Sequence, residues 1–365
     1  MPNVLIAGGG SGGHVAPAIA AAEELESRGC NVVLAHSNRS IDGMMVDRTS
    51  FEGIQVPAAP VSVNPVGTIK FCLGFLRTSR MIRNIIRNRS INCVLATGGF
   101  VAAPALKAAN DVGCPSILLN IDDPPGKANR LAVRWADRVL STVHCDLDRA
   151  TQIEPPLRKV VIASSDSDEC KKRLGLSTRL LTLLVTGASQ GARTINDLIC
   201  ELAIKFPSNF QGWQVLHIAG TVHVEQLQDK WSGIDVPCKV LGFHHEMGDA
   251  WGAADLAITR GGANTIAEIA INSVPTVVMP YPFHKDEHQR SNALPLADLG
   301  GVVIATDHIQ LDQNLYDAGD SILELMGNHQ SRFEMRQFLV GKAPINGATA
   351  IADACISCVE APHGE

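Results

Sequence analysis

Short apolar runs alternate along the chain with longer segments of mixed polarity. Runs at residues 4–7, 31–35, 93–97 and 116–120 have the length and composition of buried strands. Glycine-rich turns at 8–13 and 98–99 follow the first and third runs, and each turn leads into a helical pattern. This alternation predicts an α/β fold in which a parallel sheet carries helices on both faces.

The same arrangement begins again in the second half of the chain. A run at 181–186 leads into a glycine turn at 187–191, and a run at 255–259 leads into Gly261, Gly262 and a helix. Between the halves, the two prolines at 155–156 mark a change in composition that indicates a link. We therefore predict two Rossmann-like domains facing each other across a cleft, at residues 1–158 and 159–335, with ligands at the carboxyl ends of the strands. Residues 336–365 are expected to form a helical segment that packs back on the first domain.

The composition is that of a soluble protein with two cores. The chain has 365 residues, of which 45% are hydrophobic and 19% charged. No apolar run reaches the length of a membrane span, and the chain begins with a strand instead of a signal-peptide pattern, so we expect a cytoplasmic location. The ten cysteines are scattered except for Cys355 and Cys358. We expect these two to be buried thiols; the alternative is a metal or redox pair.

Charge is unevenly distributed along the chain, although the net value is only −6. No acidic residue lies between Glu52 and Asp111, whereas this interval contains the basic residues Lys70, Arg77, Arg80, Arg83, Arg87, Arg89 and Lys107. The excess predicts an anionic surface as partner. We do not expect nucleic acid, because few aromatic residues beyond Phe71 and Phe75 are interleaved with the basic ones.

A helical projection of residues 69–87 separates two faces. One face carries apolar residues followed by arginines: Ile69, Leu73, Leu76, Arg80, Arg83 and Arg87. The roughly opposite face carries Phe71, Phe75, Ile82 and Ile86. We predict that the second face packs in the core and that the first contacts an anionic bilayer surface, because apolar insertion beside basic residues suits such a surface. The alternative is that both faces are internal.

The first glycine turn leads to His14, in the first turn of a predicted helix. The turn resembles a dinucleotide fingerprint, but residues 31–38 contain no acidic residue for a ribose, which disfavours a nicotinamide enzyme. A helix dipole favours the neutral imidazole, so His14 is a candidate general base. A structural histidine at the start of a helix is the alternative.

Candidate nucleotide-binding residues lie mainly in the second half. Ser189 and the backbone amides of the turn at 187–193 could hold a diphosphate without a metal. Glu268, one turn inside a helix, could accept hydrogen bonds from a ribose diol or be merely solvated. Arg158 could reach a phosphate or a base, or be an exposed surface arginine. Asp-x-Asp triplets at 146–148 and 166–168 could hold a divalent cation, but the second is expected to cap a helix.

Five motifs follow one another in order across both halves: GGGSGGHVAP at 8–17, TGGFV at 97–101, PGKANR at 125–130, GASQGAR at 187–193, and RGGA at 260–263 followed by HKD at 284–286. Together they resemble the MurG family, within glycosyltransferase family 28. The resemblance implies a GT-B fold and an inverting, metal-independent transferase without a cofactor. It implies transfer of N-acetylglucosamine from UDP-N-acetylglucosamine to undecaprenyl-diphosphate-linked muramyl pentapeptide in peptidoglycan synthesis. The first domain would bind the acceptor and the cytoplasmic face of the plasma membrane, and the second would bind the UDP-sugar.

The resemblance also implies roles for individual residues. His14 would be the base, Ser189 would hold the diphosphate, and Glu268 would hold the ribose. Phe243 would frame the uracil, Gln289 would contact the sugar, and Arg158 would lie near the nucleotide. The other substrate-binding candidates are Ser11, Gly12, Gly13, Phe100, Asp122, Asn129, Gln190, Ala263, Asn264 and His288.

The sequence departs from the family pattern in two places. Ile121 and Asp122 stand where the family usually has Gln-Asn, and His288 stands where it has Gln. Ionised Asp122 accepts but cannot donate a hydrogen bond to an acetamido carbonyl, so the donor sugar could differ. A different lipid acceptor, a UDP-sugar epimerase and a non-catalytic nucleotide-sugar-binding homologue also remain open.

Overall fold

The computed structural model describes residues 1–10, 12–60, 64–122, 124–187, 191–222, 224–283, 287–341 and 345–360. The chain divides into two compact units. The first comprises Met1–Arg158 together with a C-terminal segment that begins at Ile345, and the second comprises Lys159–Pro344. Each unit is built on a parallel sheet of its own.

The first unit alternates strands and helices up to its sixth strand, and the seventh strand follows without a helix between them. Its elements are β1 (Asn3–Ala7), α1 (Gly12–Ser27), β2 (Asn31–His36), α2 (Ser40–Val46), β3 (Glu52–Gln55), α3 (Pro65–Asn88), β4 (Cys93–Ala96), α4 (Ala102–Asp111), β5 (Ser116–Asn120), α5 (Lys127–Ala132), β6 (Arg138–Ser141) and β7 (Ala150–Gln152). The strand order is β3-β2-β1-β4-β5-β6-β7. Every residue of β4 and β5 is buried, because helices cover both faces of the sheet centre. The four strands predicted for this half are present.

The second unit repeats this construction with six strands. Its elements are α6 (Ser167–Arg173), β8 (Leu181–Thr186), α7 (Arg193–Lys205), β9 (Trp213–Ile218), α8 (Val224–Ser232), β10 (Cys238–Leu241), α9 (Met247–Ala253), β11 (Leu256–Thr259), α10 (Ala263–Asn272), β12 (Thr276–Val278), α11 (His288–Asp298), β13 (Val302–Ile304), α12 (Leu311–Asn314), a π-helical turn (Leu315–Gly319), α13 (Asp320–Gly327) and α14 (His329–Val340). The strand order is β10-β9-β8-β11-β12-β13.

Each sheet has one point at which the chain reverses the direction in which it adds strands. These points lie between β1 and β4 in the first unit and between β8 and β11 in the second. Loops leave such a point in opposite directions and open a crevice at the carboxyl edge of the sheet. The glycine turns found in the sequence directly follow these four strands. The topology therefore brings the turns together in pairs.

The C-terminal segment joins the first unit later than we predicted. We expected the returning segment to begin at residue 336, but α14 belongs to the second unit, where Met335 and Leu339 are buried in its core. The returning helix is α15 (Gly347–Glu360). Its Ile351 and Cys355 are fully buried in the core of the first unit. The boundary between the second unit and the returning segment therefore lies after α14. Burial in the two cores sets this boundary, and the local sequence pattern did not reveal it.

The two cysteines of α15 are buried free thiols, as predicted. Burial and the neighbouring thiol of Cys93 raise the pKa of Cys358, with the contact to Cys93 the larger cause. A neutral thiol packs as a small apolar group. Among the residues that the structure describes, no group of three or more His, Cys, Asp or Glu side chains is arranged to hold a metal ion.

The long helix α3 separates its faces as the sequence predicts. Ile82 and Ile86 are buried in the core of the first unit, and Phe75 contacts Trp135 with a ring distance of 6.0 Å. On the other face, Ile69 is 60% and Leu76 64% exposed. The alternative in which both faces are internal is therefore wrong. No helix among the described residues has both the length and the apolar character needed to cross a membrane.

Candidate active site

In the first unit, the turns after β1 and β4 are in direct backbone contact. A Cβ atom on Gly99 would lie 1.9 Å from the carbonyl oxygen of Gly9. A Cβ atom on Gly98 would lie 2.4 Å from the imidazole Cδ2 of His14. Gly98 and Gly99 also have φ angles of 101° and 70°, which side chains rarely adopt. Only glycine at both positions allows the turns to close on each other.

This contact places His14 in the first turn of α1. The backbone carbonyl of His14 accepts a hydrogen bond of 2.8 Å from the hydroxyl of Thr97, which ties α1 to the end of β4. The imidazole Nε2 lies 3.4 Å from Oδ2 of Asp122, in the loop after β5. The His14 side chain is only 15% exposed, whereas that of Asp122 is 43% exposed. The predicted base and a carboxylate therefore meet at the carboxyl edge of the sheet.

A buried amide network holds the loop that carries Asp122. Asn120 donates from Nδ2 to the backbone carbonyl of Asp122 at 2.9 Å and to Oγ of Ser141 at 3.2 Å. Its Oδ1 accepts a hydrogen bond of 2.9 Å from Nδ2 of Asn129. The Oδ1 atom of Asn129 is buried and has no hydrogen-bond partner among the described residues. Asn129 is itself only 1% exposed, so this network is part of the interior that supports the loop.

Two further side chains fix the first glycine turn. The ring of Phe100 covers Gly10, where an added Cβ would lie 2.6 Å from Cε1 of the ring. Asp42 accepts hydrogen bonds of 2.6 Å from the backbone amide of Gly10 and from the hydroxyl of Ser37. Asp42 is fully buried. Our sequence analysis missed this residue because it lies within α2, beyond the end of the strand where acidic residues were sought.

In the second unit, a cavity of about 630 Å³ opens at the carboxyl edge of the sheet. Its lining includes the starts of α7 and α10 and the loops after β12 and β13: Gly187, Gly191, Ala192, Arg193, Thr194, Arg260, Gly262, Tyr281, Pro282, Phe283, Gln289, Asp307 and Ile309. Neither helix has an acidic residue in its first turn. Their N-terminal amides and dipoles therefore favour an anion.

A buried ion pair forms the floor of this cavity. Nη1 of Arg260 lies 2.7 Å from Oδ2 of Asp307, and Nη2 donates to the hydroxyl of Thr194 at 2.8 Å. The Thr194 hydroxyl in turn donates to Asp307 at 2.6 Å. Burial acts to raise the pKa of Asp307, but hydrogen bonds from Thr194, the backbone amide of Ile309, Arg260 and Asn314 outweigh it and lower the pKa. The network connects the ends of β11 and β13 to the start of α7.

Glu268 lies in the middle of α10, and Gln289 lies in the first turn of α11. Glu268 is half-buried and accepts a hydrogen bond of 2.8 Å from the indole Nε1 of Trp251. Oε1 of Gln289 accepts a hydrogen bond of 2.9 Å from the backbone amide of Tyr281. Its two amide hydrogens have no acceptor among the described residues and could serve a ligand. Asn292 donates to the carbonyl of Gly261 at 3.0 Å and so anchors α11 to the turn after β11.

Comparison with known proteins decides the family. The Glycosyltransferase family 28 N-terminal domain matches residues 4–141, and the family 28 C-terminal domain matches residues 182–342. A protein of Clavibacter michiganensis subsp. michiganensis is 31% identical over 361 residues, which cover 97% of this chain and 95% of that protein. Its name is UDP-N-acetylglucosamine--N-acetylmuramyl-(pentapeptide) pyrophosphoryl-undecaprenol N-acetylglucosamine transferase. The chain belongs to glycosyltransferase family 28.

Solved structures confirm the GT-B fold of this family 28 chain. The crystal structure of Acinetobacter baumannii MurG has a TM-score of 0.73 and 24% identity, and the match covers 98% of this chain and 100% of that one. A UDP-GlcNAc 2-epimerase from Neisseria meningitidis has a TM-score of 0.64 and 12% identity, with coverage of 98% and 99%. At these identities, both likenesses establish the fold alone.

The structure brings some of the predicted site residues together and leaves others apart. Of the predicted donor residues that the structure describes, Gln289 lines the cavity of the family 28 C-terminal domain. Ala263, Asn264 and His288 are exposed at helix starts, Phe243 is 49% exposed after β10, and Arg158 is the last residue of the first unit. Gly12 and Gly13 begin α1 beside His14. Ser11, Ser189, Gln190 and the HKD motif at 284–286 lie outside the described residues.

The Asp-x-Asp triplet at 166–168 caps a helix, as predicted. Asp166 is the N-cap of α6, and its side chain accepts a hydrogen bond of 2.9 Å from the backbone amide of Glu169. In the other triplet, Asp146 pairs with Arg130 at 3.0 Å and Asp148 with Arg149 at 3.6 Å. Both triplets therefore have structural partners.

Asp307→Asn should destabilise the second unit by about 3–5 kcal/mol at pH 7, because it leaves the guanidinium of Arg260 buried without its counter-ion. The folded-state pKa of Asp307 is lowered, so its contribution is complete above the unfolded-state value of about 3.9 and is lost as pH falls through the folded-state value. The free energies of unfolding of wild type and variant, measured in urea, should differ by a constant amount from pH 7 to 5. The difference should be smaller below pH of about 4.

Asp312→Asn is the matched control for this measurement, because Asp312 is exposed in the neighbouring helix. It should change stability by less than about 0.5 kcal/mol. A stability difference between wild type and Asp307→Asn that does not change with pH would contradict the ionised pair.

Proposed function

We propose that this family 28 chain transfers N-acetylglucosamine from UDP-N-acetylglucosamine to the 4-hydroxyl of undecaprenyl-diphosphate-linked N-acetylmuramyl-pentapeptide, with inversion at the anomeric carbon. The observation that carries the proposal is the 31% identity to a transferase of that name across 97% of this chain. The two sites at the carboxyl edges of the sheets fit the proposal chemically. One offers a candidate base and the other an anion-binding cavity.

The cavity of the second unit is the proposed donor site. The N-termini of α7 and α10 would hold the diphosphate and stabilise the negative charge on departing UDP, since their dipoles favour an anion. Ser189 would add a hydroxyl to the diphosphate, Glu268 would hold the ribose, and Phe243 would frame the uracil. This arrangement supports a reaction that does not depend on a metal.

The site around His14 is the proposed acceptor site. His14 would accept the proton of the attacking hydroxyl, and the buried Asn120 and Asn129 side chains would hold the loop beside it. The acceptor oxygen then bonds to the anomeric carbon while the bond from that carbon to the UDP oxygen breaks. The electron pair of that bond leaves with UDP, so the transfer is a single displacement.

Product analysis tests the proposal directly. The protein is incubated with UDP-N-acetylglucosamine and the lipid-linked muramyl pentapeptide, and the products are analysed by mass spectrometry. The expected product is the lipid acceptor with one added N-acetylhexosamine. Epimerised UDP-sugar formed without acceptor would instead support an epimerase, and tight UDP binding without turnover would support a nucleotide-sugar-binding homologue.

Donor competition tests which sugar is transferred. UDP-glucose, UDP-N-acetylglucosamine and UDP-N-acetylgalactosamine compete in the same assay. Gln289 and His288 both offer donors that suit an acetamido carbonyl, so we expect N-acetylglucosamine to be preferred. Preference for UDP-glucose would reject the peptidoglycan substrate and leave the fold and nucleotide site unaffected.

Glu268→Ala should weaken UDP binding by about 1.5–3 kcal/mol, the range for a hydrogen bond to a charged group. Calorimetry with UDP measures the change. The exposed Glu225 on α8 provides the control, and Glu225→Ala should leave the affinity unchanged. Because Glu268 also binds Trp251, a thermal unfolding curve must show that the variant remains folded. Wild-type affinity for UDP in folded Glu268→Ala would rule out the ribose contact.

We also propose that the exposed face of α3 holds the protein peripherally on an anionic bilayer, at the cytoplasmic face of the plasma membrane. Apolar side chains that are about half exposed or more lie along this face: Val66, Ile69, Leu73 and Leu76. Exposed cations lie beside them: Lys70, Arg77, Arg80 and Arg87. Apolar insertion combined with attraction to anionic headgroups supports interfacial binding.

Leu73→Ser/Leu76→Ser should abolish most of the flotation of the protein with vesicles that contain anionic lipid, because the double change removes two exposed insertion points. Vesicles of neutral lipid should bind even the wild type weakly. Ile204→Ser is the control, since Ile204 is 58% exposed in the second unit. Flotation that is insensitive to both lipid charge and the double change would reject this face.

A further inference from the structure

The contact between Asp122 and His14 suggests a role for Asp122 that differs from sugar binding. Nε2 of His14 lies 3.4 Å from Oδ2 of Asp122. This is an ion-pair distance, longer than the usual 2.7–3.2 Å of an N–H···O hydrogen bond. Catalytic hydrogen bonds are often long in structures without substrate and shorten when the reacting complex forms. The separation therefore permits direct coupling between the two side chains.

We propose that Asp122 is a positioning residue for the base, and this inference rests on the proposed transferase function. Its carboxylate would hold the Nε2 proton of the neutral imidazole and so place the lone pair on Nδ1. When the acceptor hydroxyl attacks, its proton would move to Nδ1. The carboxylate would then stabilise the imidazolium, which carries the transferred proton until the product leaves.

Both partners are held from outside the pair. Asp122 is fixed through its backbone, because Asn120 donates to its carbonyl at 2.9 Å and is itself fully buried. His14 is fixed through its own carbonyl, which accepts the hydrogen bond from Thr97. Gly98 lies against the imidazole ring, where any side chain would displace it. The hydrogen bonds from Asn120 and Thr97 thus hold the two partners independently. Such support is expected for a catalytic group that is positioned before the substrate binds.

The chemistry of residue 122 distinguishes this role from a sugar contact. The family resemblance places asparagine at this position, and an asparagine amide carries no charge to balance an imidazolium. Asp122 supplies that charge within ion-pair distance of the candidate base. Asp122→Asn therefore removes the charge while it keeps the shape and a carbonyl acceptor.

A double-mutant cycle tests the coupling in the transfer assay. Asp122→Asn should lower kcat by about 10- to 100-fold, less than the roughly 10²- to 10⁴-fold contribution of a general base, and should change KM for UDP-N-acetylglucosamine by less than about threefold. In the His14→Ala background, Asp122→Asn should have no further effect on kcat. Asp122→Glu should recover part of the loss, because it restores the carboxylate.

A sugar contact would give a different result. In that case Asp122→Asn would mainly change KM for the UDP-sugar, and its effect would be the same with or without His14. Either additive effects in the cycle or a change confined to KM would overturn the inference.

An NMR measurement tests the same contact without relying on turnover. The protein is labelled with ¹⁵N-histidine, and the His14 signals are identified by their absence in His14→Gln. At a pH where the ring is neutral, the wild type should show an Nε2–H proton whose resonance is moved downfield by its hydrogen bond to the carboxylate. Asp122→Leu, which lacks an acceptor, should lose this downfield shift. The same Nε2–H resonance in the two proteins would overturn the inference. Absence of sugar transfer would reject the proposed function, whereas this resonance would still show whether Asp122 binds His14.

Discussion

Two backbone turns in the first unit approach each other so closely that no side chain fits between them. The contact between Gly9 and Gly99 brings the ends of β1 and β4 together, and Gly98 receives the edge of the imidazole of His14. This packing occurs where the strand order reverses, which is the place at which parallel sheets open a crevice for ligands. The position of the candidate base thus depends on the absence of Cβ atoms.

In the second unit, a buried ion pair holds the corresponding edge of the sheet together. Arg260 follows β11, Asp307 follows β13, and Thr194 lies in the first turn of α7. Their mutual hydrogen bonds fix a helix start that lines the cavity. Because Asp307 neutralises Arg260, the helix ends and the exposed Arg193 are left to supply positive potential for a diphosphate. Each unit therefore presents a rigid carboxyl edge, one suited to a base and the other to an anion.

The sequence was most informative where structure is encoded locally. Apolar runs and glycine turns predicted the strands around both crossover points, and the projection of α3 predicted which face is buried. The Arg260–Asp307–Thr194 network escaped prediction because Thr194 and Asp307 are 113 positions apart and only the sheet order brings them together. Asp122 was assigned to the sugar because its proximity to His14 depends on the buried Asn120 network. The late boundary after α14 likewise depends on tertiary burial, not on a local signal.

The central claim is that close packing of the two glycine turns in the first unit organises the proposed acceptor site, separately from nucleotide binding. Gly99→Ala tests it most directly, with Gly113→Ala as control, because Gly113 also has positive φ, 66°, but an added Cβ there meets nothing within 4 Å. We predict that Gly99→Ala keeps wild-type UDP affinity by calorimetry and loses transfer by about 10²-fold or more, as expected when a catalytic group is misplaced. Gly113→Ala should remain active. Wild-type transfer by Gly99→Ala would contradict the account.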